Sequence, residues 1–169
     1  NRKFINGKLD RLITNTTGQL DINYKFGIIN GNINHNFHSI KATYSNNYYL
    51  GTWGYVRYRA EAGKIFNPVP YPLLEIHPGN SSYGLGRNSF NLLTPFEFAS
   101  DRWASLILEH HLDGKLFNRI PLLKRLKLRE VWGTRACYGN LYKNNLLNFN
   151  NTNILRFNNI PYIETHIGV

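Results

Sequence analysis

Apolar and polar residues alternate with a period of two along much of the chain. In the clearest run, residues 19–28, aliphatic or aromatic side chains take the even positions, and polar side chains or glycine take the odd positions. Successive side chains of a β-strand point to opposite faces, so this spacing predicts a strand with one apolar and one polar face.

Six segments carry strand-like spacing, and several of them reach ten residues or more. They cover residues 19–28, 38–45, 56–62, 101–112, 126–141 and 160–169, of which 126–141 is the least regular. Soluble strands average about 5–6 residues, whereas a tilted membrane-spanning strand needs about 9–11. We therefore predict an all-β fold, part of an antiparallel transmembrane β-barrel with a polar interior. A soluble β-sandwich would show the same alternation, so the spacing alone leaves that alternative open.

The connections between these segments differ greatly in length. Residues 67–98 form the longest one, and the prolines and glycines scattered through it oppose regular structure. A loop of this length is usually functional. Residues 142–159 form a second long, Asn-rich connection, whereas 46–51 is predicted to be a short turn. Long loops on one side and short turns on the other are typical of membrane barrels.

Composition favours β-structure at a membrane. Charged residues make up 18% of the chain and aromatic residues 14%, against about 25% charged in ordinary soluble domains. Tyr and Trp suit both strands and membrane interfaces. The single Cys137 excludes an internal disulfide. Methionine is absent and the alternation continues to Val169, so we expect residues 1–169 to be a fragment of one barrel domain, with N-terminal and C-terminal parts of the chain missing.

The formal net charge of +10 admits two interpretations. A basic chain can bind nucleic acid, or it can meet an anionic membrane surface. The densest basic cluster follows the apolar run 120–123, and its members are Lys124, Arg125, Lys127 and Arg129. Aromatic-rich strands with apolar faces flank this cluster, so we favour a membrane-interface turn. Outer-membrane lipid is then an expected partner, and nucleic acid is not.

Charged side chains on the predicted strands share their polar faces. The candidate lumen-lining residues are Arg57, Arg59, Glu61, Asp101, Glu109 and His111. His110 and His111 are adjacent, so on a strand they point to opposite faces and cannot both ligate one metal ion. The sequence has no phosphate-binding loop, nucleophile elbow or zinc spacing. We therefore expect a protein that is not an enzyme, with no catalytic residue, metal or cofactor.

The long loop holds a second group of candidate functional residues. They are Glu75, His77, Pro78, Gly79 and Asn80. The Pro-Gly pair predicts a turn that presents the histidine. The group could form a binding site, or it could be a loop held by its own hydrogen bonds, and we favour the second. If the loop folds into the barrel, we hypothesise that Glu75 or His77 pairs with Arg57 or Arg59.

Two long segments resemble a known family. VPYPLLEIHPGNSSY and FEFASDRWASLILEHHLDGKLFNRIPLLKRLKLREV closely resemble an uncharacterised family of Bacteroidota outer-membrane proteins. The resemblance extends over about 51–131, with a looser continuation to Val169. Around 84–86 and 94–95 the chain departs from the more aromatic sequence expected of the family.

The resemblance carries implications for the whole protein. It implies a signal peptide, an N-terminal carboxypeptidase-regulatory-like β-sandwich without peptidase activity, and a C-terminal barrel. That barrel is similar to the outer-membrane assembly and secretion superfamily, whose barrels have sixteen strands and an inward-folded loop. The implied role is outer-membrane assembly, protein translocation or transport, with other envelope proteins as partners. The alternatives are a passive pore or surface receptor, and a soluble basic β-domain that binds nucleic acid.

Overall fold

The computed structural model describes residues 2–5, 8–11, 17–29, 35–141, 157 and 160–169. Over these residues the chain is all-β apart from single helical turns. The strands are β1 Arg2–Ile5, β2 Lys8–Arg11, β3 Gln19–Ile29, β4 His35–Tyr49, β5 Tyr55–Phe66, β6 Glu75–Ile76, β7 Ala99–Ser100, β8 Arg102–His111, β9 Val131–Asn140 and β10 Tyr162–Gly168. The helical turns are Gly51–Trp53, Tyr71–Leu73, Phe117–Arg119 and Pro121–Lys124. None of the described helices has the length and apolarity needed to span a membrane.

One antiparallel sheet organises the fold. Its six strands lie in the order β10-β9-β8-β5-β4-β3, so that strands next to each other in the sheet are connected directly or through a single excursion. Each of the six segments predicted from alternation contributes one strand of this sheet, and the predicted all-β, antiparallel class is confirmed. The hairpin of β1 and β2 and the two-residue pair of β6 and β7 were not predicted.

The two faces of the sheet have opposite character. We call inner the face that carries Lys41, Glu61, Glu109, Arg135 and Glu164, and outer the face that carries the alternate positions. Every buried residue of the six strands lies on the inner face, and no outer-face residue of these strands is buried. The outer face is nevertheless the apolar one.

Exposure values show how far this arrangement departs from that of a water-soluble sheet. On the outer face, Ile22 is 64% exposed and Ile163 is 60% exposed. On the inner face, Arg135 is only 1% exposed. In water the hydrophobic effect would favour the reverse arrangement. At the end of the sheet, β3 is exposed on both faces.

The connection between β4 and β5 is shorter than the sequence indicates. The turn predicted at 46–51 is wrong, because Asn46 and Asn47 continue β4 and pair with Tyr58 and Arg57. Pairing with a long neighbouring strand overrides the low β-propensity of asparagine. The chain reverses at 50–54 instead. Gly54 has a φ of 77° there, and a Cβ atom on it would lie 1.8 Å from the carbonyl oxygen of His111.

The fifth predicted strand also starts later than expected. Residues 126–130 are irregular, with Lys127 in the left-handed region at a φ of 51°, and β9 begins only at Val131. Glu130 is tied to the preceding connection, since its carboxylate accepts the backbone N–H of Phe117. Apart from Phe157, the Asn-rich connection predicted at 142–159 lies outside the described residues.

The long excursion predicted at 67–98 leads from β5 to β7 and covers part of the inner face. Two small apolar clusters hold it there. In the first, Val69 and Leu74 of the loop pack with Ile65 and Trp103 of the sheet. In the second, the loop packs Phe90 and Leu93 against Cys137 of β9, and the members of this cluster are 1% exposed. The loop therefore acts as the second layer of the fold.

Candidate functional site

A chain of ion pairs runs across the inner face from β5 to β10. Arg57 pairs with Glu109 directly opposite it on β8. The second carboxylate oxygen of Glu109 lies 2.9 Å from Nη2 of Arg135 on β9. Nη1 of Arg135 lies 3.6 Å from Glu164, its register partner on β10. The sign of the charge therefore alternates from one strand to the next. Each ion has an opposite charge on a neighbouring strand, which offsets part of the cost of its burial.

The same network captures the long loop. Glu164 accepts the backbone N–H groups of Asn91 and Leu92 at 2.7 Å and 2.9 Å. Arg135 donates to the carbonyl oxygen of Ser89. The Tyr162 hydroxyl donates to Glu164 at 2.9 Å. One acid and one guanidinium of the sheet therefore bind three backbone groups within residues 89–92 of the loop.

A second group of ion pairs centres on Lys41 of β4. Its Nζ lies 2.7 Å from Glu61 on β5 and 2.8 Å from Glu75 in the loop. Glu61 also accepts from Trp103 Nε1 at 3.3 Å and lies 3.3 Å from Nη2 of Arg59. This finding answers the hypothesis about the loop carboxylate: Glu75 does reach the inner face, but its cation is Lys41 rather than either of the two arginines.

His77 has a different partner from the one hypothesised. It is 2% exposed, and its Nε2 lies 3.1 Å from the hydroxyl of Ser100. Burial lowers the pKa of His77 to about 4, while Glu61 raises it and Lys41 lowers it by smaller amounts. The imidazole is therefore neutral at neutral pH. Gly139 of β9 makes room for this contact, since a Cβ atom there would lie 2.0 Å from the Ser100 Oγ atom.

Asn80 organises the tip of the loop through its side chain. The amide nitrogen donates to the Gly84 carbonyl at 2.7 Å and to the Asn91 side chain at 2.9 Å. The amide oxygen accepts the backbone N–H of Ser82 at 2.9 Å. Pro78 accepts from the backbone N–H of Phe90 at 2.8 Å. Internal hydrogen bonds thus hold this part of the loop, which is the interpretation favoured from the sequence.

The two adjacent histidines of β8 point to opposite faces. On the outer face, His110 Nδ1 accepts from Trp132 Nε1 at 3.1 Å, so its Nε2 carries the proton and donates to the Trp53 carbonyl at 2.8 Å. On the inner face, the ring of His111 stacks on that of Tyr55 at 4.4 Å. No cluster of His, Cys, Asp or Glu with metal-binding geometry lies within the part of the chain that the structure describes.

The remaining predicted residues fall in two places. Asp101 lies just before β8 and is 2% exposed, with its backbone N–H donating to the Asn140 carbonyl. In the basic cluster, Lys124 ends the last helical turn, and the other three residues lie between that turn and β9. Arg125, Lys127 and Arg129 are exposed there, and Arg129 lies 4.0 Å from the carboxylate of Asp113.

Sequence reasoning missed three charged residues that organise the site. Lys41, Arg135 and Glu164 lie on predicted strands, at positions where a polar side chain shares a face with other polar ones. The alternation already assigns Lys41 to the polar face of its strand. Once the strand order is known, a search for opposite charges on neighbouring strands finds all three residues.

The fold and site together define an all-β protein whose charged sheet face is covered by a captured loop. Residues 6–146 match the family described as "Family of unknown function (DUF5686) C-terminal domain", and the chain belongs to this family. No curated protein matches the chain. No solved structure matches it either.

We expect the substitution Glu164→Gln to loosen the long loop. The neutral amide cannot pair with Arg135, and it cannot accept both backbone N–H groups of Asn91 and Leu92 with two carboxylate oxygens. The loss should amount to about 1–3 kcal/mol of local stability. Amide hydrogen exchange at Asn91 and Leu92 should accelerate by about tenfold or more.

Glu97→Gln is the matched control for this change. Glu97 lies in the same loop, but its carboxylate accepts only the nearby backbone N–H of Thr94, at 2.8 Å. Exchange at Asn91 and Leu92 should stay near the wild-type rate in this variant. Equal exchange rates in the wild type and in Glu164→Gln would contradict the capture of the loop by the sheet.

We also expect docking of the loop to weaken in mild acid. An exposed histidine takes its proton near pH 6.5, whereas docked His77 takes it only near pH 4. The contribution of neutral His77 to the stability of the docked loop is therefore complete above pH 6.5. It is lost as the pH falls towards 4, by about 3 kcal/mol at most. Hydrogen exchange at the His77 amide, which donates to the Phe98 carbonyl, measures this loss.

Two histidine variants test whether His77 causes this pH dependence. His77→Asn should remove most of the decrease between pH 6.5 and pH 4 in the protection of this amide, measured against the intrinsic exchange rate at each pH. His110→Asn, on the opposite face of the sheet, should retain it. The same pH dependence in wild type and His77→Asn would assign the effect to other groups.

Proposed function

We propose that the chain is part of a transmembrane β-barrel in a bacterial outer membrane. In this proposal the outer face of the sheet meets lipid, and the inner face borders an interior into which loop 67–98 is folded. The observation that carries the proposal is the inverted distribution of side chains: apolar residues exposed on the outer face and charged residues buried on the inner face. Such a sheet suits an apolar solvent outside and a polar environment inside.

The extent of the apolar surface supports lipid as its solvent. Aliphatic and aromatic side chains are exposed on the outer face of all six strands, among them Ile22, Ile40, Phe66, Leu106, Trp132 and Ile163. Soluble monomers rarely expose a contiguous apolar patch above a few hundred Å². Burial of such a surface in hydrocarbon is favourable, by about 25 cal/mol for each Å² removed from water.

Strand length supports the same proposal. Five of the six strands have ten residues or more, with 15 in β4 and 12 in β5. A rise of about 3.3 Å per residue makes a ten-residue strand about 33 Å long. That length crosses an apolar band of about 25 Å even when the strand is tilted.

One end of the sheet has the composition of a membrane interface. Tyr48 and Trp132 lie on the outer face at the same level, and Trp53 lies in the adjoining turn. The Nζ atom of Lys115 lies 3.0 Å from the centre of the Trp53 ring. The exposed part of the basic cluster, 125–129, belongs to the connection at this same end. Aromatic rings and cations together suit the headgroup region, where cations meet lipid phosphates.

The position of loop 67–98 bears on the choice between a passive pore and a role in assembly, translocation or transport. A passive pore needs an open interior, whereas loop 67–98 is packed against the inner face and held by Arg135 and Glu164. We therefore propose a non-enzymatic role in outer-membrane assembly, protein translocation or transport, in which the loop regulates the interior. The resemblance to Bacteroidota outer-membrane proteins supports the same assignment.

A lysine substitution distinguishes lipid from water at the outer face. Leu106 lies in the middle of β8 and is 44% exposed, whereas Leu92 lies in the loop and is 79% exposed. In lipid, Leu106→Lys should cost about 2–4 kcal/mol, and the full-length protein should lose its outer-membrane abundance and its heat-modifiable migration in gels. Leu92→Lys should be tolerated. Equal tolerance of both variants, with recovery in the soluble fraction, would contradict the proposal.

Depletion of the full-length protein tests the proposed role itself. A role in assembly predicts lower levels of other outer-membrane proteins, and a role in translocation or transport predicts accumulation of its cargo in the periplasm. If both are unchanged, and small solutes instead lose entry in proportion to depletion, the passive pore is the better description.

A further inference from the structure

A polar cavity of about 390 Å³ lies between the inner face and the tip of the long loop. Gln19, Ser45 and Arg59 occupy the same level on β3, β4 and β5, and each lines the cavity. Arg57 lines it from the adjacent inner-face position on β5. The loop contributes Arg87 from the other side. The pairing of three strands and the packing of the loop thus bring these side chains together.

The cavity has an excess of positive charge. Among the residues that the structure describes, three arginines line it and no acidic residue does. Arg57 is paired with Glu109, and Arg59 lies 3.3 Å from Glu61, but both acids lie outside the lining. Among the described residues, no carboxylate lies within ion-pair distance of Arg87, which is exposed. The guanidinium of Arg87 is therefore left uncompensated, beside two others whose acids lie outside the lining.

We propose that this cavity binds a small phosphate-bearing solute. Guanidinium groups match phosphate oxygens in geometry and charge, and they stay protonated in any physiological condition. Here they approach from a strand and from a loop, beside hydroxyl and amide side chains. Donors from several directions suit the tetrahedral phosphate, whose oxygens do not share a plane, better than the planar carboxylate. The volume lies in the range of small-molecule sites.

The proposal goes beyond the barrel assignment and does not depend on it. The site lies on the inner face, away from the surface proposed to meet lipid, so its ligand would arrive from the aqueous side. Because Arg87 belongs to the captured loop and Arg59 to the sheet, the bound anion would also bridge the loop to β5.

Calorimetric titration of inorganic phosphate into the full-length protein, purified in detergent without added phospholipid, tests the site. Saturable binding is expected. Arg87→Gln and Arg59→Gln should each weaken it by about tenfold or more, since a hydrogen bond to a charged group is lost. Arg129→Gln is the matched control, because that side chain is 77% exposed in another connection. An unchanged far-ultraviolet circular dichroism spectrum would show that each variant is folded.

The contrary outcomes concern phosphate binding itself, its specificity for phosphate and its assignment to a solute. Absence of saturable phosphate binding would overturn it, and so would an equal loss in Arg129→Gln, which would indicate a response to overall charge. Succinate binding as tightly as phosphate at constant ionic strength would overturn the assignment to phosphate. Binding that appears only when phospholipid is added would overturn the assignment to a solute. None of these outcomes bears on whether the outer face meets lipid.

Discussion

The buried guanidinium of Arg135 is the group on which the relation between sheet and loop depends. It is 1% exposed, and a buried charge is tolerated only when it is paired and hydrogen-bonded. Its partners are Glu109 on β8, Glu164 on β10 and the Ser89 carbonyl in the loop. Satisfying one charge therefore fixes two neighbouring strands and the covering segment relative to each other. Removing either acid would leave the buried guanidinium with one ionic partner fewer.

The two faces of the sheet differ in the environment that suits them. The inner face is rich in ion pairs, and its buried charges, Glu109, Arg135 and Glu164, each meet an opposite charge. No described segment covers the outer face in this way, although its side chains are those that water excludes most strongly. A single aqueous solvent would favour burial of the outer face instead. In the proposed barrel, lipid outside and a polar interior would satisfy both faces with one backbone arrangement.

The sequence predicted more of the fold than of the site, for physical reasons. Alternation depends on local geometry, so it located all six strands of the sheet. It misplaced the turn before Gly54, because pairing with β5 extends β4 through two asparagines. It placed Arg57 and Glu61 on one face but could not choose the cation for Glu75, since that choice depends on how the loop lies. The capture of the loop by Glu164 joins residues more than seventy positions apart, a distance that no local pattern covers.

Tryptophan fluorescence tests the central claim most directly, because the chain carries the same reporter on both faces. Trp132 is 42% exposed on the outer face, and Trp103 is 5% exposed on the inner face. In full-length protein reconstituted with brominated phospholipid, Trp132→Phe should remove a strongly quenched component of the emission, and Trp103→Phe should remove an unquenched one. The contradicting result is a Trp132 emission that brominated lipid leaves unchanged and that an aqueous quencher suppresses.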